Sequence, residues 1–137
     1  MDEVIIVSSE VRYLPDVINF VKKICRQARL SEKNFIPIAI VIEEIFTNIV
    51  RYAYDEGVVG TIEVTCRMHP DARKIEIVFM DDGKAHNPLD QKDPDITLPV
   101  EKRAVGGLGI LIVKKWVDDI RYTHKHGRNH LSIEKAL

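Results

Sequence analysis

The chain has 137 residues, of which 45% are hydrophobic and 30% charged, as expected for one soluble globular domain. Lys and Arg total 20 against 21 for Asp and Glu, a formal net charge of −1, which argues against a dedicated binder of nucleic acid or anionic membranes. The two cysteines, Cys25 and Cys66, are too few for a disulfide scaffold. Because the sequence also shows neither a signal peptide nor a membrane-spanning apolar run, we expect a cytoplasmic protein.

The first part of the sequence predicts one strand followed by two helices. The β-branched run from Val4 to Val7 is typical of a strand. After Pro15, apolar residues recur at spacings of three and four, which predicts an amphipathic helix. Ser31 can cap the next helical segment. We expect the main helix from about Pro37 to Tyr54, because proline suits the first turn of a helix better than its interior.

A hairpin and a long loop are predicted next. Apolar and polar residues alternate from Thr61 to Met68, which indicates a half-buried strand, and Lys74 to Met80 forms its partner after a turn. The segment from Asp82 to Gly107 contains three prolines and no clear period. A structureless stretch of that length inside a compact domain is usually a lid or a binding loop.

The final part predicts a helix and a second hairpin. Ile110 to Val117 is helical by its apolar content, and the strands Ile120 to Thr123 and His130 to Glu134 are joined around Gly127. Because the strands come in hairpins and do not alternate with helices, we expect an α+β fold. It would be a two-layer α/β sandwich, with helices on one face of a mainly antiparallel sheet, and residues 1–137 would form a single domain.

The main helix carries two different faces. Its core stripe is predicted to consist of Ile38, Ile42, Ile45, Ile49 and Tyr52. Glu44, Asn48 and Arg51 lie along another face at spacings of four and three. A carboxylate one turn before an amide, beside an arginine, can hold a metal or a phosphate. Taken alone, this face is more often solvated, with an ordinary Glu-to-Arg contact.

Two glycine-containing motifs follow the main helix. In the first, Asp81 and Gly83 end a strand, where a carboxylate can accept a hydrogen bond from an exocyclic amine such as that of adenine. In the second, Gly106, Gly107 and Gly109 precede a helix, whose exposed N–H groups and dipole favour an anion. A dinucleotide-binding fingerprint is excluded here, because the third glycine is missing and no strand comes before the motif.

The order of these motifs is more specific than any one of them. Glu-x-x-x-Asn on a helix, Asp-x-Gly after a hairpin, a long loop and Gly-Gly-x-Gly opening a helix resemble the histidine-kinase-like ATPase superfamily. Within it, the chain is most similar to the bacterial anti-sigma factor serine/threonine kinases. The resemblance runs from Val4 to Lys135 and implies the corresponding fold, with an ATP lid at about residues 83–106.

The resemblance also implies a function. The protein would be an Mg-ATP-dependent kinase that phosphorylates a serine or threonine on an anti-sigma factor antagonist of the STAS type and sequesters a sigma factor. Proteins of this kind are commonly homodimers. It would require no nucleic acid and no membrane.

Individual roles follow from the same resemblance. Asn48 matches the Mg²⁺ ligand, and Glu44 matches the general base that takes the proton from an attacking hydroxyl. Asp81 matches the adenine-binding acid and Gly83 the glycine that follows it. The phosphate-contacting positions would be Gly107, Leu108 and Gly109, and the lid residues Lys102 and Arg103 could neutralise charge on the γ-phosphate.

Two positions depart from the family pattern. Tyr52 stands where many relatives have a histidine, and Ala85 replaces the second glycine of the first glycine motif. Because Tyr52 is predicted to lie on the core stripe, little catalytic effect is expected from it. Three histidines, His124, His126 and His130, flank the last hairpin turn and are expected to be surface residues, although a metal site is conceivable there.

Two alternative functions stay open at the level of sequence. The protein could be a nucleotide-binding partner-switching module without kinase activity. It could also be a detached catalytic domain that phosphorylates histidine on a separate protein.

Overall fold

The computed structural model describes residues 2–69, 71–90 and 107–137. Lys102, Arg103 and the greater part of the predicted lid lie outside these residues. The described regular elements, in chain order, are β1 (Asp2–Ser8), α1 (Leu14–Gln27), α2 (Glu32–Tyr52), β2 (Thr61–His69), β3 (Lys74–Asp81), α3 (Gly107–Trp116), β4 (Asp119–Lys125) and β5 (Arg128–Ala136), with short 3₁₀ turns at Val11–Tyr13 and Pro88–Asp90. No helix among them is both long and apolar enough to cross a membrane.

The second helix begins earlier than its proline predicted. It starts at Glu32, where Ser31 is the N-cap and its Oγ accepts a hydrogen bond from the backbone N–H of Asn34 at 3.2 Å. Pro37 therefore lies inside α2, and the prediction that it opens the helix is wrong. Such a proline removes one backbone hydrogen bond. The cap and the burial of the apolar face, which includes Phe35 and Ile38, offset that loss.

The five strands form one antiparallel sheet in the order β1-β2-β3-β5-β4. Its register aligns apolar residues across neighbouring strands in rows, one of which runs through Ile5, Val64, Phe79 and Leu131. These rows pack against the buried faces of the helices to form a single core. The opposite face of the sheet is more open, and Val4 and Ile6 are exposed on it. The predicted two-layer α+β fold is confirmed.

The sheet register also places one acid on the helix-covered side. Asp81 is the last residue of β3 and lies between Ile62 of β2 and Asn129 of β5. The chain after it turns against the end of α2, where the N–H of Lys84 donates to the carbonyl of Ala53 at 2.9 Å. This contact brings the loop after β3 next to the helix that carries Glu44 and Asn48.

The final hairpin ends in a two-residue turn. His126 and Gly127 both have positive φ angles, 55° and 73°, which match the right-handed twist of the flanking strands. The turn predicted around Gly127 is therefore present. It sets the register of β4 and β5, and in the separate pairing of β5 with β3, Asn129 lies opposite Asp81.

Candidate functional site

A cleft separates α2 from the start of α3. Its lining residues are Glu44, Thr47, Asn48, Arg51, Tyr52, Gly109 and Ile110. The three residues predicted to share one face of the main helix, Glu44, Asn48 and Arg51, thus all border the same cavity. The N-terminus of α3 forms the opposite wall, with Gly107 as its first residue and Leu108 as its second. A helix N-terminus presents free N–H groups and a partial positive charge.

Asn48 is the predicted metal ligand. Its side chain is only 8% exposed, yet it lines the cleft and its amide hydrogen-bonds none of the described residues. The amide therefore has hydrogen-bonding capacity left for a ligand or water in the cleft. The carbonyl oxygen of an amide is a suitable ligand for Mg²⁺, which usually takes few protein ligands and keeps several waters.

Glu44 lies one turn before Asn48 and directly against α3. A Cβ atom added to Gly109 would overlap the carboxylate of Glu44, so the absence of a side chain at position 109 is what makes room for it. Partial burial raises the pKa of Glu44, the nearby Glu43 carboxylate raises it further, and Arg51 opposes both effects. A carboxylate with a raised pKa is a better proton acceptor at neutral pH than an ordinary surface glutamate.

Asp81 occupies a different environment. It is 2% exposed, and its Oδ1 accepts hydrogen bonds from the N–H of Gly83 at 2.9 Å and from Nδ2 of Asn129 at 2.8 Å. Burial raises the pKa of Asp81, while these two hydrogen bonds lower it. Within the described part of the chain no donor contacts Oδ2, so this oxygen is available to an amine on a ligand.

An aromatic pair lies between the cleft that holds Glu44 and Asn48 and the loop that follows Asp81. The rings of Tyr52 and His86 stack with centroids 5.2 Å apart and an interplanar angle of 29°. Tyr52 also lines the cleft, so its assignment to the core stripe is wrong. The stripe is buried as far as Ile49, whereas the Tyr52 side chain is only half-buried and its ring lies on His86 of the loop after β3.

Sequence reasoning missed the residues that support Asp81. The sequence analysis assigns no role to Asn129, His86 or Tyr122. The alternation of β5 contained a usable signal, because Asn129 shares the buried side of the strand with Leu131 and Ile133. A polar side chain at an inward-facing strand position indicates a specific hydrogen-bonding task.

The described residues contain no cluster of three or more His, Cys, Asp or Glu side chains able to hold a metal ion. His124 and His126 are exposed, as expected for surface histidines. The cleft thus offers Asn48, and not a dedicated all-protein cage, as its metal-binding group.

Comparison with known proteins agrees with this geometry. A family profile described as the histidine kinase-like ATPase domain matches residues 7–135. The chain belongs to this family. The resemblance inferred from the order of the motifs is therefore confirmed, and the match includes both the α2 cleft and the Asp81 region.

Named relatives within the histidine kinase-like ATPase family are protein kinases. The serine/threonine-protein kinase BtrW of Bordetella bronchiseptica is 23% identical over 118 residues, which cover 86% of this chain and 82% of BtrW. The serine-protein kinase RsbW of Bacillus mycoides is 36% identical over 92 residues, which cover 64% of this chain and 56% of RsbW. The chain thus matches little more than half the length of RsbW.

A solved structure has the same fold. The crystal structure of the RsbU and RsbW domains of a Mycobacterium tuberculosis protein aligns with the whole of this chain at a TM-score of 0.69. The sequence identity is 15%, and the alignment covers 32% of that larger protein. This likeness establishes the fold.

Proposed function

We propose that the protein is an Mg-ATP-dependent protein serine/threonine kinase. The observation that carries the proposal is the placement of Glu44 and Asn48 on one cleft beside the N-terminus of α3, with Asp81 connected to it through the Tyr52–His86 stack. Membership of the histidine kinase-like ATPase family supports the use of ATP. The names of BtrW and RsbW support transfer to serine or threonine.

The residues of the site fit a bound nucleotide. Oδ2 of Asp81 would accept a hydrogen bond from the adenine amine, and Asn48 would hold Mg²⁺, which would offset the negative charge of the nucleotide. The backbone of Gly107, Leu108 and Gly109 at the start of α3 would contact the phosphates. Lys102 and Arg103 are proposed to approach the γ-phosphate from the lid. When bound, Mg-ATP supplies the phosphoryl group.

Glu44 would act as the general base. Its role is to take the proton from the serine or threonine hydroxyl of the protein substrate. Its raised pKa suits this task, because proton transfer is most efficient when the pKa of the base lies nearer the working pH. Gly109 would keep the carboxylate in place by leaving space for it.

The proposed substrate is an anti-sigma factor antagonist of the STAS type, and the proposed second partner is a sigma factor. Phosphorylation adds negative charge to the docking surface of the antagonist, which would release it from the kinase. The resemblance of the motifs to the anti-sigma factor kinases supports this partner-switching role, and homodimer formation belongs to the same proposal.

A phosphoryl-transfer assay tests the proposal. The purified protein is incubated with radiolabelled Mg-ATP and a panel of recombinant STAS-domain antagonists, and products are mapped by mass spectrometry. We expect acid-stable phosphoserine or phosphothreonine on at least one antagonist. Glu44→Gln should lower the transfer rate by about 10²–10⁴-fold while ATP still binds.

Glu43→Gln is the matched control, because Glu43 is an exposed neighbour on the same helix outside the cleft. It should retain transfer. ATP binding without transfer to any antagonist would favour the partner-switching module, and an acid-labile product would indicate a histidine target.

A further inference from the structure

Asn129 is the most completely hydrogen-bonded side chain near the proposed nucleotide site. It lies at the start of β5 and is only 4% exposed. Its Nδ2 donates to Oδ1 of Asp81 at 2.8 Å and to the carbonyl of Lys84 at 2.9 Å. Its Oδ1 accepts from the N–H of His86 at 3.2 Å and from the hydroxyl of Tyr122. Two donor and two acceptor positions are all that an amide side chain possesses.

This arrangement fixes the orientation of the Asn129 amide. If the amide rotated by half a turn, Nδ2 would face the backbone N–H of His86, and Oδ1 would face two acceptors, Asp81 and the carbonyl of Lys84. Buried networks in which every member is satisfied are rigid, because each bond polarises the next and an unpaired member is costly. Asn129 therefore holds its four neighbours in one arrangement.

The Asn129 amide bonds to only one of the two carboxylate oxygens of Asp81. Oδ1 accepts from Gly83 and Asn129, and no other described residue donates a hydrogen bond to the carboxylate, which leaves Oδ2 as its free acceptor. The same amide holds the loop that follows β3 at Lys84 and His86. The position of the loop and the direction of the free oxygen are thus set by one side chain.

We propose that Asn129 is the positioning residue for base selectivity: it orients Asp81 so that Oδ2 accepts from the 6-amino group of the purine. The proposal rests on the proposed function, because it takes Asp81 as the group that contacts the base. It adds a residue on another strand, 48 positions later in the sequence, without which the acid is present but not directed.

Charge considerations agree with the geometry. Burial raises the pKa of Asp81, and the bond from Asn129 counteracts that effect. Without Asn129, Oδ1 keeps only the N–H of Gly83 as a donor, so the carboxyl group can rotate and Oδ2 is no longer held in one direction. Loss of Asn129 should therefore remove the preference for a 6-amino purine.

Nucleotide selectivity tests this proposal. Kd values are measured for Mg-ATP and for Mg-purine riboside triphosphate, which lacks the 6-amino group. In the unmodified protein we expect ATP to bind at least about 10-fold more tightly, as for a hydrogen bond to a charged group. In Asn129→Leu, whose side chain has the same number and branching of heavy atoms but no hydrogen-bonding groups, the ratio should fall to within about threefold of one.

Asn129→Asp is the second variant. It keeps the shape of the side chain and the two acceptor positions for Tyr122 and His86, but it loses both donors, so its selectivity should fall in the same way. The matched control is His130→Leu, because His130 is the next residue of β5 and faces the opposite side of the sheet. This control should keep the ratio of the unmodified protein.

The outcomes separate the two proposals. If the unmodified protein does not bind ATP, the proposed function fails. If it binds ATP selectively and both folded Asn129 variants weaken ATP and the analogue equally, the ratio is unchanged, Asn129 has a merely structural role and the inference is overturned. A ratio that collapses in the variants and not in the control supports it.

Discussion

The Glu44–Asn48 region and the Asp81–Asn129 region differ in how their polar groups are satisfied. On α2, the Asn48 amide has no hydrogen-bond partner among the described residues, and Glu44 borders an open cleft. At the β3–β5 end, every hydrogen-bonding position of Asn129 is used, and Asp81 has one oxygen held by two donors. The first region leaves its groups available for metal and phosphates, whereas the second arranges its groups before any ligand arrives.

This difference fits two separate tasks, base recognition at the β3–β5 end and phosphate and metal binding at the α2 cleft. Recognition of a flat, uncharged base depends on hydrogen-bond direction, which a preorganised network supplies. Phosphate and metal binding depends on charge and on groups that can adapt to a hydrated ion. Gly109 and Gly83 illustrate the contrast. Gly109 leaves room for the side-chain carboxylate of Glu44, whereas Gly83 leaves room for the backbone carbonyl of Ala53.

The largest effect is expected from Gly109→Ala in the α2 cleft. The added methyl group would overlap the Glu44 carboxylate, which is the far end of a flexible side chain and can swing aside. The fold should therefore survive, with little change in melting temperature, while phosphoryl transfer falls at least about 100-fold because the base is displaced. Transfer assays and thermal melts measure both quantities. Normal transfer by this variant would show that the position of Glu44 is not critical.

Gly83→Ala, unlike Gly109→Ala, should lower the stability of the fold. Its methyl group would overlap the backbone carbonyl of Ala53 at the end of α2, which cannot move without shifting the helix. We expect a loss of about 1–3 kcal/mol in the free energy of unfolding, as for other overpacked sites. Urea denaturation measures this loss. An unchanged midpoint would mean that the loop after β3 is not pressed against α2.

Asp81→Asn should weaken ATP binding without lowering the stability of the fold. ATP affinity should fall roughly tenfold, because the new side chain presents a donor to the adenine amine or loses the charge that strengthened the bond. The free energy of unfolding at pH 7 should stay equal or rise by about 0.5–2 kcal/mol, as is common when a strained functional group is removed.

The gain in the free energy of unfolding from Asp81→Asn should depend on pH. Because burial raises the pKa of Asp81 above that of the unfolded chain, its protonated form stabilises the fold at low pH. That contribution is lost as the pH rises through the pKa of the folded state. The gain from Asp81→Asn should therefore be larger at pH 7 than at pH 3.5, measured by denaturation at both values. A gain that is larger at pH 3.5 would contradict this reasoning.

The sequence predicted most of the fold because its elements have strong local signals. Alternation in Thr61 to Met68 and the three-and-four spacing after Pro15 depend only on neighbouring residues. The start of α2 was misplaced because the proline rule was weighted above the Ser31 cap, and tertiary burial decided the outcome. Tyr52 was misassigned because a helical wheel does not show that the loop carrying His86 lies against this side of the helix.

The candidate site was predictable only where its residues form motifs along the chain. Glu44 with Asn48 and Asp81 with Gly83 are close in sequence and carry the family pattern. The support from Asn129 depends on sheet register, which joins β3 to β5 across 48 positions and cannot be read from local spacing. The roles of all the predicted site residues, from Glu44 and Asn48 to Lys102, Arg103 and Leu108, remain predictions.

Calorimetric titration with ATP, with and without Mg²⁺, tests the central claim most directly. The claim is that Asn48 and Asp81 belong to one Mg-ATP site. We predict binding in the micromolar range that weakens strongly when Mg²⁺ is removed or when Asn48 is replaced in Asn48→Ala. A folded protein that does not bind ATP, or that binds it equally well without Mg²⁺ and without Asn48, would contradict the account.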